Sequence, residues 1–265
     1  MIIDFHTHCF PDALAPKALS WLSEKASSKP VTDGTVKGSS ALLKESGVDF
    51  GVVCSIATNP RQLPKVNGFA IDINDLCRNL IALGSAHPDY EELEDELQRL
   101  LDHDIRGIKV HPEYASYYID APEWDRVFSL CEEMGIFVVT HAGFDFISPD
   151  RVAAPPERIA KVLDRHKNLT LICAHLGGNR YWEQVKTLLC GRENLYLDTA
   201  MLAKVGIDLD LMRSVIIAHG TDKVLFGSDM PWSYPKDEIA LIRTLGLSAE
   251  DENKIFSDNA KKLLF

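Results

Sequence analysis

The sequence predicts a (β/α)8 barrel of the TIM-barrel type, an α/β fold, built as a single domain. Eight short apolar segments recur along the 265 residues, and segments with helical spacing separate them. No linker, internal repeat or block of charge divides the chain. Eight strands alternating with helices in about 250 residues are typical of such a barrel. A doubly wound open sheet is the alternative, and it is less favoured because no Gly-rich phosphate loop follows any segment.

The eight predicted strands are mostly continuous apolar runs. This pattern is typical of parallel strands that are buried on both faces, whereas half-exposed strands alternate. In chain order, the segments are MIIDF, FGVVCSI, LIALGSA, IRGIKV, IFVVTH, LTLICAH, LYLDT and KVLFGSD.

Helical spacing and helix-terminal residues predict the intervening helices. Pro122 and Pro156 suit the first turn of a helix, and Gly135 suits a helix C-terminus. A short helix is also expected just before the second strand. The longer predicted helices cover residues 12–27, 91–104, 122–135 and 156–168.

The least regular segment is SKPVTDGTVKGSS, at residues 28–40, which is rich in Gly, Ser, Thr and Pro. Such a composition predicts a surface loop between two helices. Because nothing else interrupts the alternation of strands and helices, residues 1–265 are expected to form one domain.

Composition excludes several classes of protein. Hydrophobic residues make up 46% and charged residues 25%, as in an ordinary globular protein. The 39 acidic against 28 basic residues give a net charge of −11, which argues against nucleic-acid binding. No apolar run reaches the roughly 18 residues of a membrane span. The N-terminal segment lacks signal-peptide features and the six cysteines form no CxxC pair, so a cytoplasmic location is expected.

Polar residues collect at the C-terminal ends of the predicted strands, where barrel enzymes place their chemistry. His6 and His8 end the first strand and, two residues apart, should point the same way. His141 follows the fifth strand, His175 the sixth and Asp229 the eighth. Any one of these residues could simply be structural. Together, four histidines and one aspartate at one rim favour a site for zinc, manganese, iron or cobalt.

The chain resembles the amidohydrolase superfamily, and specifically its amidohydrolase-2 group, which includes enzymes similar to aminocarboxymuconate-semialdehyde decarboxylase. The resemblance runs from end to end, with the matching segments in the family's order. These segments are IDFHTH (3–8), GIKVHP (107–112), THAG (140–143), CAHLGG (173–178), FGSDMPW (226–232) and DNAKKLL (258–264).

The resemblance implies a metal-dependent enzyme. It implies that His6, His8, His141 and Asp229 bind one divalent ion, with Zn²⁺ expected and Mn²⁺, Fe²⁺ or Co²⁺ as alternatives. His175 is then expected beside the reacting water or substrate, and Asp229 is expected to take a proton as well as bind the ion. His175 and Asp229 are therefore the predicted catalytic residues.

The fourth strand contributes Lys109 and His111, which alternation directs inward together. In some superfamily members a carboxylated lysine on this strand bridges two metal ions. The GIKVHP segment resembles the group that generally uses one, so both residues are expected to contact substrate. Alternatively, Lys109 pairs with a carboxylate such as Asp4 or Asp229.

Residues in the loops of the rim suggest the character of the substrate. Arg61, Arg180 and Trp232 follow the second, sixth and eighth strands and could frame a pocket. Either arginine could bind a carboxylate through two hydrogen bonds, although exposed arginines are often simply solvated.

These observations predict a metal-dependent hydrolase acting on a small ester, lactone or amide, with or without a carboxylate. The alternative within the same family is a non-oxidative decarboxylase acting on a small carboxylated substrate. A metal-binding protein without turnover is a third and less favoured hypothesis, because a histidine beyond the ligand set suits proton transfer. The expected partner is a small molecule, and a homodimer is left open.

Overall fold

The structure, a computed structural model of residues 1–265, is a barrel of eight parallel strands. The strands lie in the order β1-β2-β3-β4-β5-β6-β7-β8, so each pairs with the next one along the chain. This sequential order confirms the predicted (β/α)8 barrel and rules out the doubly wound sheet. The strands are β1 Ile3–Thr7, β2 Phe50–Cys54, β3 Leu80–Ser85, β4 Gly107–Val110, β5 Phe137–Thr140, β6 Leu171–Cys173, β7 Leu195–Asp198 and β8 Val224–Leu225.

The barrel closes between β1 and the segment that follows the two-residue β8. The amide of Phe5 donates to the carbonyl of Phe226 over 2.7 Å, and the amide of Asp229 donates to the carbonyl of His6 over 2.8 Å. Thr7 forms an isolated parallel bridge with Met230. Closure therefore brings the end of strand eight beside the His-Thr-His segment of strand one.

Helices lie between the strands and pack around the barrel. Pro156 begins α7 and Gly135 follows α6 in a left-handed conformation, both as predicted. Pro122 begins a 3₁₀ turn that leads into α6. The helices are α1 Ala15–Ala26, α2 Val36–Glu45, α3 Leu63–Leu76, α4 Leu93–Asp102, α5 Pro112–Ala115, α6 Asp125–Met134, α7 Pro156–Arg165, α8 Trp182–Leu188, α9 Leu202–Val205, α10 Leu209–His219, α11 Pro235–Thr244, α12 Ala249–Asn253 and α13 Asn259–Leu264.

The segment expected to be a loop over residues 28–40 is irregular up to Thr35. There the Thr35 hydroxyl accepts a hydrogen bond from the amide of Gly38 and caps α2. A threonine cap satisfies an amide that the helix itself cannot pair, which explains why the helix begins inside this polar segment.

Two groups of buried side chains form the core. The larger group lies between the sheet and the surrounding helices. The smaller group draws on six strands and α13, including Phe5, Leu83, Val139 and Ala260. Side chains from six strands meet only inside a barrel, so this group fills the lumen below the polar rim. No helix combines the length and apolar character needed to cross a membrane.

Candidate metal centre

His6 and His8 point to the same side of β1, and their ring nitrogens face each other. Their two Nε2 atoms are 3.2 Å apart. Asp229 Oδ1 lies 3.1 Å from His8 Nε2 and 3.6 Å from His6 Nε2. The side chains are largely withdrawn from solvent, with His8 the most accessible at 15% exposure. We call His6, His8 and Asp229 the principal group.

The hydrogen bonds of the opposite ring nitrogens define the tautomers of both histidines. His6 Nδ1 lies 2.8 Å from Asp198 Oδ2, and His8 Nδ1 lies 3.0 Å from the carbonyl of Cys54. Both partners are acceptors, so each neutral ring carries its proton on Nδ1. Burial lowers the pKa of His6 to about 4, which keeps that ring neutral at pH 7. Two nitrogen lone pairs and a carboxylate oxygen therefore converge.

Asp229 reaches this position because its backbone is left-handed, with φ of 64°. Asp4 supports the preceding turn through two contacts with Ser228, accepting from its amide over 2.8 Å and from its hydroxyl over 2.5 Å. Burial raises the pKa of Asp4 to about 7. Asp4 thus holds the β1–β8 junction and is not a partner of Lys109.

His175 and His141 lie side by side next to the principal group. The His175 ring centroid is 5.4 Å from that of His6. His175 Nδ1 donates to the carbonyl of Ala200 over 3.0 Å, which leaves its Nε2 as an acceptor 3.2 Å from His141 Nδ1. His141 Nδ1 therefore carries the proton, and its buried Nε2 has no hydrogen-bond partner.

Asp198 contacts both His6 and the turn that carries His175. One oxygen accepts from His6 Nδ1, and the other accepts from the amides of His175 and Ala200 over 2.9 and 3.0 Å. Burial alone would raise the pKa of Asp198, but at the acid pH where Asp198 titrates His6 is protonated, and its charge and hydrogen bond lower the pKa of Asp198 to about 2. The carboxylate at the end of β7 therefore orients His6 and the turn that carries His175.

Lys109 projects into the centre of the site and is 1% exposed. Its Nζ lies 3.2 Å from His6 Nε2, and it forms no ion pair with a carboxylate within 4.0 Å. The alternative of pairing with Asp4 or Asp229 is not realised. The ammonium instead donates to His6 Nε2, which carries no proton because His6 donates from Nδ1 to Asp198.

A second group of potential ligands consists of His111, His141 and Asp145, whose ligand atoms all lie within 4.8 Å of one another. Burial lowers the pKa values of His111 and His141 well below their usual range and raises that of Asp145 to about 6. The rings of His111 and His141 stack with centroids 4.3 Å apart. Glu113 Oε2 lies 3.2 Å from His111 Nδ1.

The three residues expected to frame the pocket, Trp232, Arg180 and Arg61, are more dispersed than the histidines and carboxylates of the site. Trp232 is partly buried, and its amide donates to the carbonyl of Asp229 over 2.7 Å. Arg180 is exposed and lies over the ring of Phe144, with the guanidinium carbon 4.0 Å from the ring centroid. Arg61 is exposed on a 3₁₀ turn and forms no ion pair with the site.

Sequence reasoning missed Asp198, Glu113 and Asp145. Asp198 offered a usable signal, because it ends the LYLDT strand at the same rim as the other polar residues. Asp145 and Glu113 gave no such signal, since they lie in loops or short helices whose paths depend on tertiary packing. The ring of His141, the fourth residue predicted with these ligands, lies 4.9 Å from that of His175 and 4.3 Å from that of His111, centroid to centroid.

The donor set of the principal group fits a divalent ion. Two neutral imidazoles and a carboxylate suit Zn²⁺, Mn²⁺, Fe²⁺ or Co²⁺ alike. The Nε2 lone pairs of His6 and His8 point towards each other and repel unless a proton or a cation lies between them. The ring protons are on the Nδ1 atoms, where their hydrogen bonds hold them, so they do not occupy this position. The carboxylate and carbonyl that hold His6 and His8 are the outer partners usual for metal-binding histidines.

The family model Amidohydro_2, described as Amidohydrolase, matches residues 3–265. No curated protein matches the chain significantly. A TIM-barrel protein from Bordetella bronchiseptica is similar in structure, with TM-score 0.77, 20% identity and coverage of 99% of this chain and 98% of that one.

Two further solved structures are named for an activity. A 5-carboxyvanillate decarboxylase from Novosphingobium aromaticivorans, with bound manganese, has TM-score 0.73, 13% identity and coverage of 100% of this chain and 97% of that one. A protein from Pseudomonas putida, provisionally assigned as a 2-pyrone-4,6-dicarboxylic acid hydrolase, has TM-score 0.68, 16% identity and coverage of 99% and 97%. At these identities the likeness shows the fold.

Proposed function

Because the chain belongs to the amidohydrolase family whose model it matches over residues 3–265, we propose that it is a metal-dependent hydrolase of a small ester, lactone or amide. The observation that carries the proposal is the convergence of His6 Nε2, His8 Nε2 and Asp229 Oδ1 within 3.6 Å. Three protein ligands leave coordination positions open for water and substrate, as in catalytic metal sites.

A divalent ion bound to the principal group would lower the pKa of water and polarise the carbonyl under attack. The resemblance adds His141 as a fourth ligand, whereas in this structure His141 faces His175 and His111. Zn²⁺ is the ion expected from the ligand types, and Mn²⁺ is supported by the manganese in the N. aromaticivorans structure.

The remaining roles in the reaction belong to side chains of the protein. Asp229 Oδ1 is the nearest carboxylate oxygen to both Nε2 atoms, so it takes a proton from water and passes it to the leaving group. His175 Nε2 is an acceptor whose ring is fixed by Ala200, so it orients water or receives a proton. Lys109 Nζ donates to substrate oxygen, and Arg180 and Trp232 border the pocket.

The second candidate is a non-oxidative decarboxylase, favoured by the manganese-containing decarboxylase that shares the fold. In that reaction His175 or Asp229 would deliver a proton to carbon, and Lys109 would bind the carboxylate. The purified protein should be tested with a panel of lactones, esters, amides and carboxylated aromatics. Acid release without CO₂ supports the hydrolase, and CO₂ release supports the decarboxylase. A cytoplasmic location, a small-molecule partner and a homodimer stay predictions.

The metal is tested with His8→Ala. Removing one of three ligands should sharply reduce the metal content of the purified protein, and turnover should fall with it. His103→Ala is the matched control, because His103 is exposed at the end of α4. Full metal retention in His8→Ala would show that the proposed site is wrong.

A further inference from the structure

Three side-chain rings stack in a row beside the principal group, and Tyr114 is at one end of the row. The Tyr114 and His111 rings are parallel, with centroids 3.6 Å apart, and the His111 and His141 rings stack with centroids 4.3 Å apart. His141 Nδ1 in turn donates to His175 Nε2 over 3.2 Å. The stacking therefore holds the phenol ring of Tyr114 against the histidines of the rim.

The short segment that carries Tyr114 is fixed by its neighbour Glu113. Tyr114 lies in α5, the single helical turn that directly follows His111 at the end of β4. Glu113 Oε1 accepts from the amide of Ala153 over 2.7 Å, and Glu113 Oε2 lies 3.2 Å from His111 Nδ1. Glu113 thus holds both the helical turn and the His111 ring on which Tyr114 stacks.

The hydroxyl of Tyr114 forms no hydrogen bond within the protein, and the side chain is only partly buried. By contrast, Tyr117 in the same loop donates to Asp89 Oδ1 over 2.9 Å. Burial raises the pKa of Tyr114 above its usual range, and the charges of Asp145 and Asp229 raise it further. The hydroxyl is therefore protonated at pH 7 and can donate. Because the effect of a charge falls with distance, the influence of Asp229 also indicates that the hydroxyl lies towards the principal group.

Asp145, which also acts on the phenol, lies in the loop after β5, which we call the Asp145 loop. Asn179 holds this loop, because its carbonyl accepts from the amide of Phe144 over 2.9 Å and its side-chain amide donates to the Phe144 carbonyl over 2.8 Å. Asp145 Oδ1 accepts from the amide of Ile147 over 3.3 Å, and the buried Oδ2 has no partner. An ionised carboxylate only accepts, so this side of the site offers a substrate no donor.

The other donors around the principal group are already engaged. Each histidine ring of the site has its proton turned towards an acceptor of the protein. These rings are His6, His8, His111, His141 and His175. The ammonium of Lys109 donates to His6 Nε2. The Tyr114 hydroxyl is therefore a donor that no acceptor of the protein occupies.

Hydrolysis requires such a donor at one particular atom. The water oxygen bonds to the carbonyl carbon of the substrate, the water proton passes to Asp229, and an electron pair of the C=O bond moves onto the carbonyl oxygen. The pair returns when the bond to the leaving group breaks and the leaving group takes the proton from Asp229. Between these steps the carbonyl oxygen is negative, so a donor held there stabilises the transition state more than the bound substrate.

We propose that the Tyr114 hydroxyl donates a hydrogen bond to the carbonyl oxygen of the substrate and stabilises the negative charge that forms on it. This inference rests on the proposed hydrolase function and adds a catalytic residue to it. Sequence reasoning did not single out Tyr114, because its place at the site depends on stacking against His111.

Tyr114→Phe tests the proposal, because it keeps the ring on His111 and removes only the hydroxyl. With the ester, lactone or amide that the wild-type chain hydrolyses, we expect kcat to fall roughly 10²-fold, near the usual loss for one such donor, and KM to change little. Tyr118→Phe is the matched control and should keep the wild-type kcat. Tyr118 is exposed in the same loop, with the Arg158 guanidinium over its ring. Elemental analysis should find the wild-type metal content in both variants.

Three outcomes would overturn the proposal. An unchanged kcat in Tyr114→Phe would mean that the phenol only packs against His111. A higher KM at an unchanged kcat would mean that the hydroxyl binds the substrate without favouring the transition state. Loss of metal from Tyr114→Phe would mean that the hydroxyl supports the metal centre and not the substrate.

Binding of methylphosphonate to the Mn²⁺-loaded protein tests the donor without turnover. Its oxygens are arranged tetrahedrally and carry negative charge, like the carbonyl oxygen during hydrolysis. By calorimetry, Tyr114→Phe should bind it roughly 10-fold more weakly than the wild-type chain, which corresponds to one hydrogen bond to a charged group, and Tyr118→Phe should bind it equally well. Weaker binding by Tyr114→Phe in a protein that releases CO₂ would mean that the hydrolase proposal fails while the donor stands. Equal binding by the wild-type chain and Tyr114→Phe, or none by either, would overturn the donor itself.

Discussion

At the scale of single residues, the positions of ring protons decide which atoms can bind a metal. His6, His8 and His175 each donate from Nδ1 to an oxygen of a neighbouring strand or loop. The barrel backbone and one carboxylate therefore set the tautomers, which leaves the Nε2 atoms free to act as ligands or bases.

Asp198→Asn tests whether this control of tautomers matters. The asparagine oxygen can still accept from the amides of His175 and Ala200, but its NH₂ group would then face His6 Nδ1–H. The ring must move its proton to Nε2 to avoid two donors in contact, and it then loses the lone pair that binds the ion. We expect metal affinity to fall roughly 10–100-fold.

Metal titration measures that affinity, and nitrogen chemical shifts of the His6 ring report the tautomer directly. Asp164→Asn is the control, because Asp164 is an exposed carboxylate paired with Arg192. Unchanged affinity together with an unchanged His6 tautomer in Asp198→Asn would contradict the role given to Asp198.

His175→Asn separates proton transfer from metal binding. His175 has a left-handed backbone, with φ of 58°, which asparagine tolerates better than most residues. The principal group keeps its three donors, so metal content should be unchanged. Turnover should fall roughly 10²–10⁴-fold, the usual effect of removing a general acid or base. Lower thermal stability with full turnover would mean that His175 is only structural, and loss of metal would make it a ligand.

At the scale of elements, the strands were predictable and the loops that complete the site were not. All eight strands follow from apolar runs, because a parallel strand must be buried on both faces. His6, His8, His175 and Asp229 were predicted to share a rim, and the structure places them together. The Asp145 loop could not be predicted, because its path depends on Asn179, which is 34 residues further along the chain.

Gly143→Ala tests that loop. Alanine would be strained at φ of 81°, and its Cβ would clash with the backbone of Asn179, which cannot simply rotate away. Gly135→Ala is the matched control, because Gly135 has φ of 68° but no atom within 4 Å of the position that an alanine Cβ would take. We expect Gly135→Ala to cost about 1–2 kcal/mol of unfolding free energy, the cost of left-handed backbone alone.

Gly143→Ala should cost at least roughly 3 kcal/mol, because the steric clash adds to that strain. Denaturant unfolding of the metal-free proteins measures both values. Equal losses in the two variants would show that the Asp145 loop is not held by Asn179.

At the scale of the whole molecule, the closed barrel gathers residues from both ends of the sequence. Asp4 and Ser228 are 224 positions apart and hydrogen-bond across the β1–β8 junction. The net charge of −11 argues against an overall field that attracts anions, so any preference for a carboxylate must come from local groups such as Lys109 and Arg180. Sequence alone located these groups on the rim, but only the fold shows that Lys109 faces His6.

Stability of the whole molecule against acid should depend on His219, which is remote from the candidate metal sites. His219 Nε2 donates to the carbonyl of Leu195, and Nδ1 accepts from the amide of Gly191, so the neutral ring satisfies both nitrogens. Burial lowers its pKa to about 4, against about 6.5 in the unfolded chain. Protonation would put a second donor against the Gly191 amide.

The folded state thus binds this proton less readily than the unfolded state, so the stabilisation is complete above pH 6.5 and is lost as pH falls towards 4. A shift of this size corresponds to roughly 3 kcal/mol at 1.36 kcal/mol per unit. His219→Gln removes the titration, so its unfolding free energy should fall less steeply over this window than that of the wild-type chain. Denaturant unfolding at pH 7, 6, 5 and 4, with chelator present, measures the difference between the two slopes. The other buried histidines titrate in both proteins and cancel in that difference, so parallel curves would mean that His219 is not the acid-sensitive group.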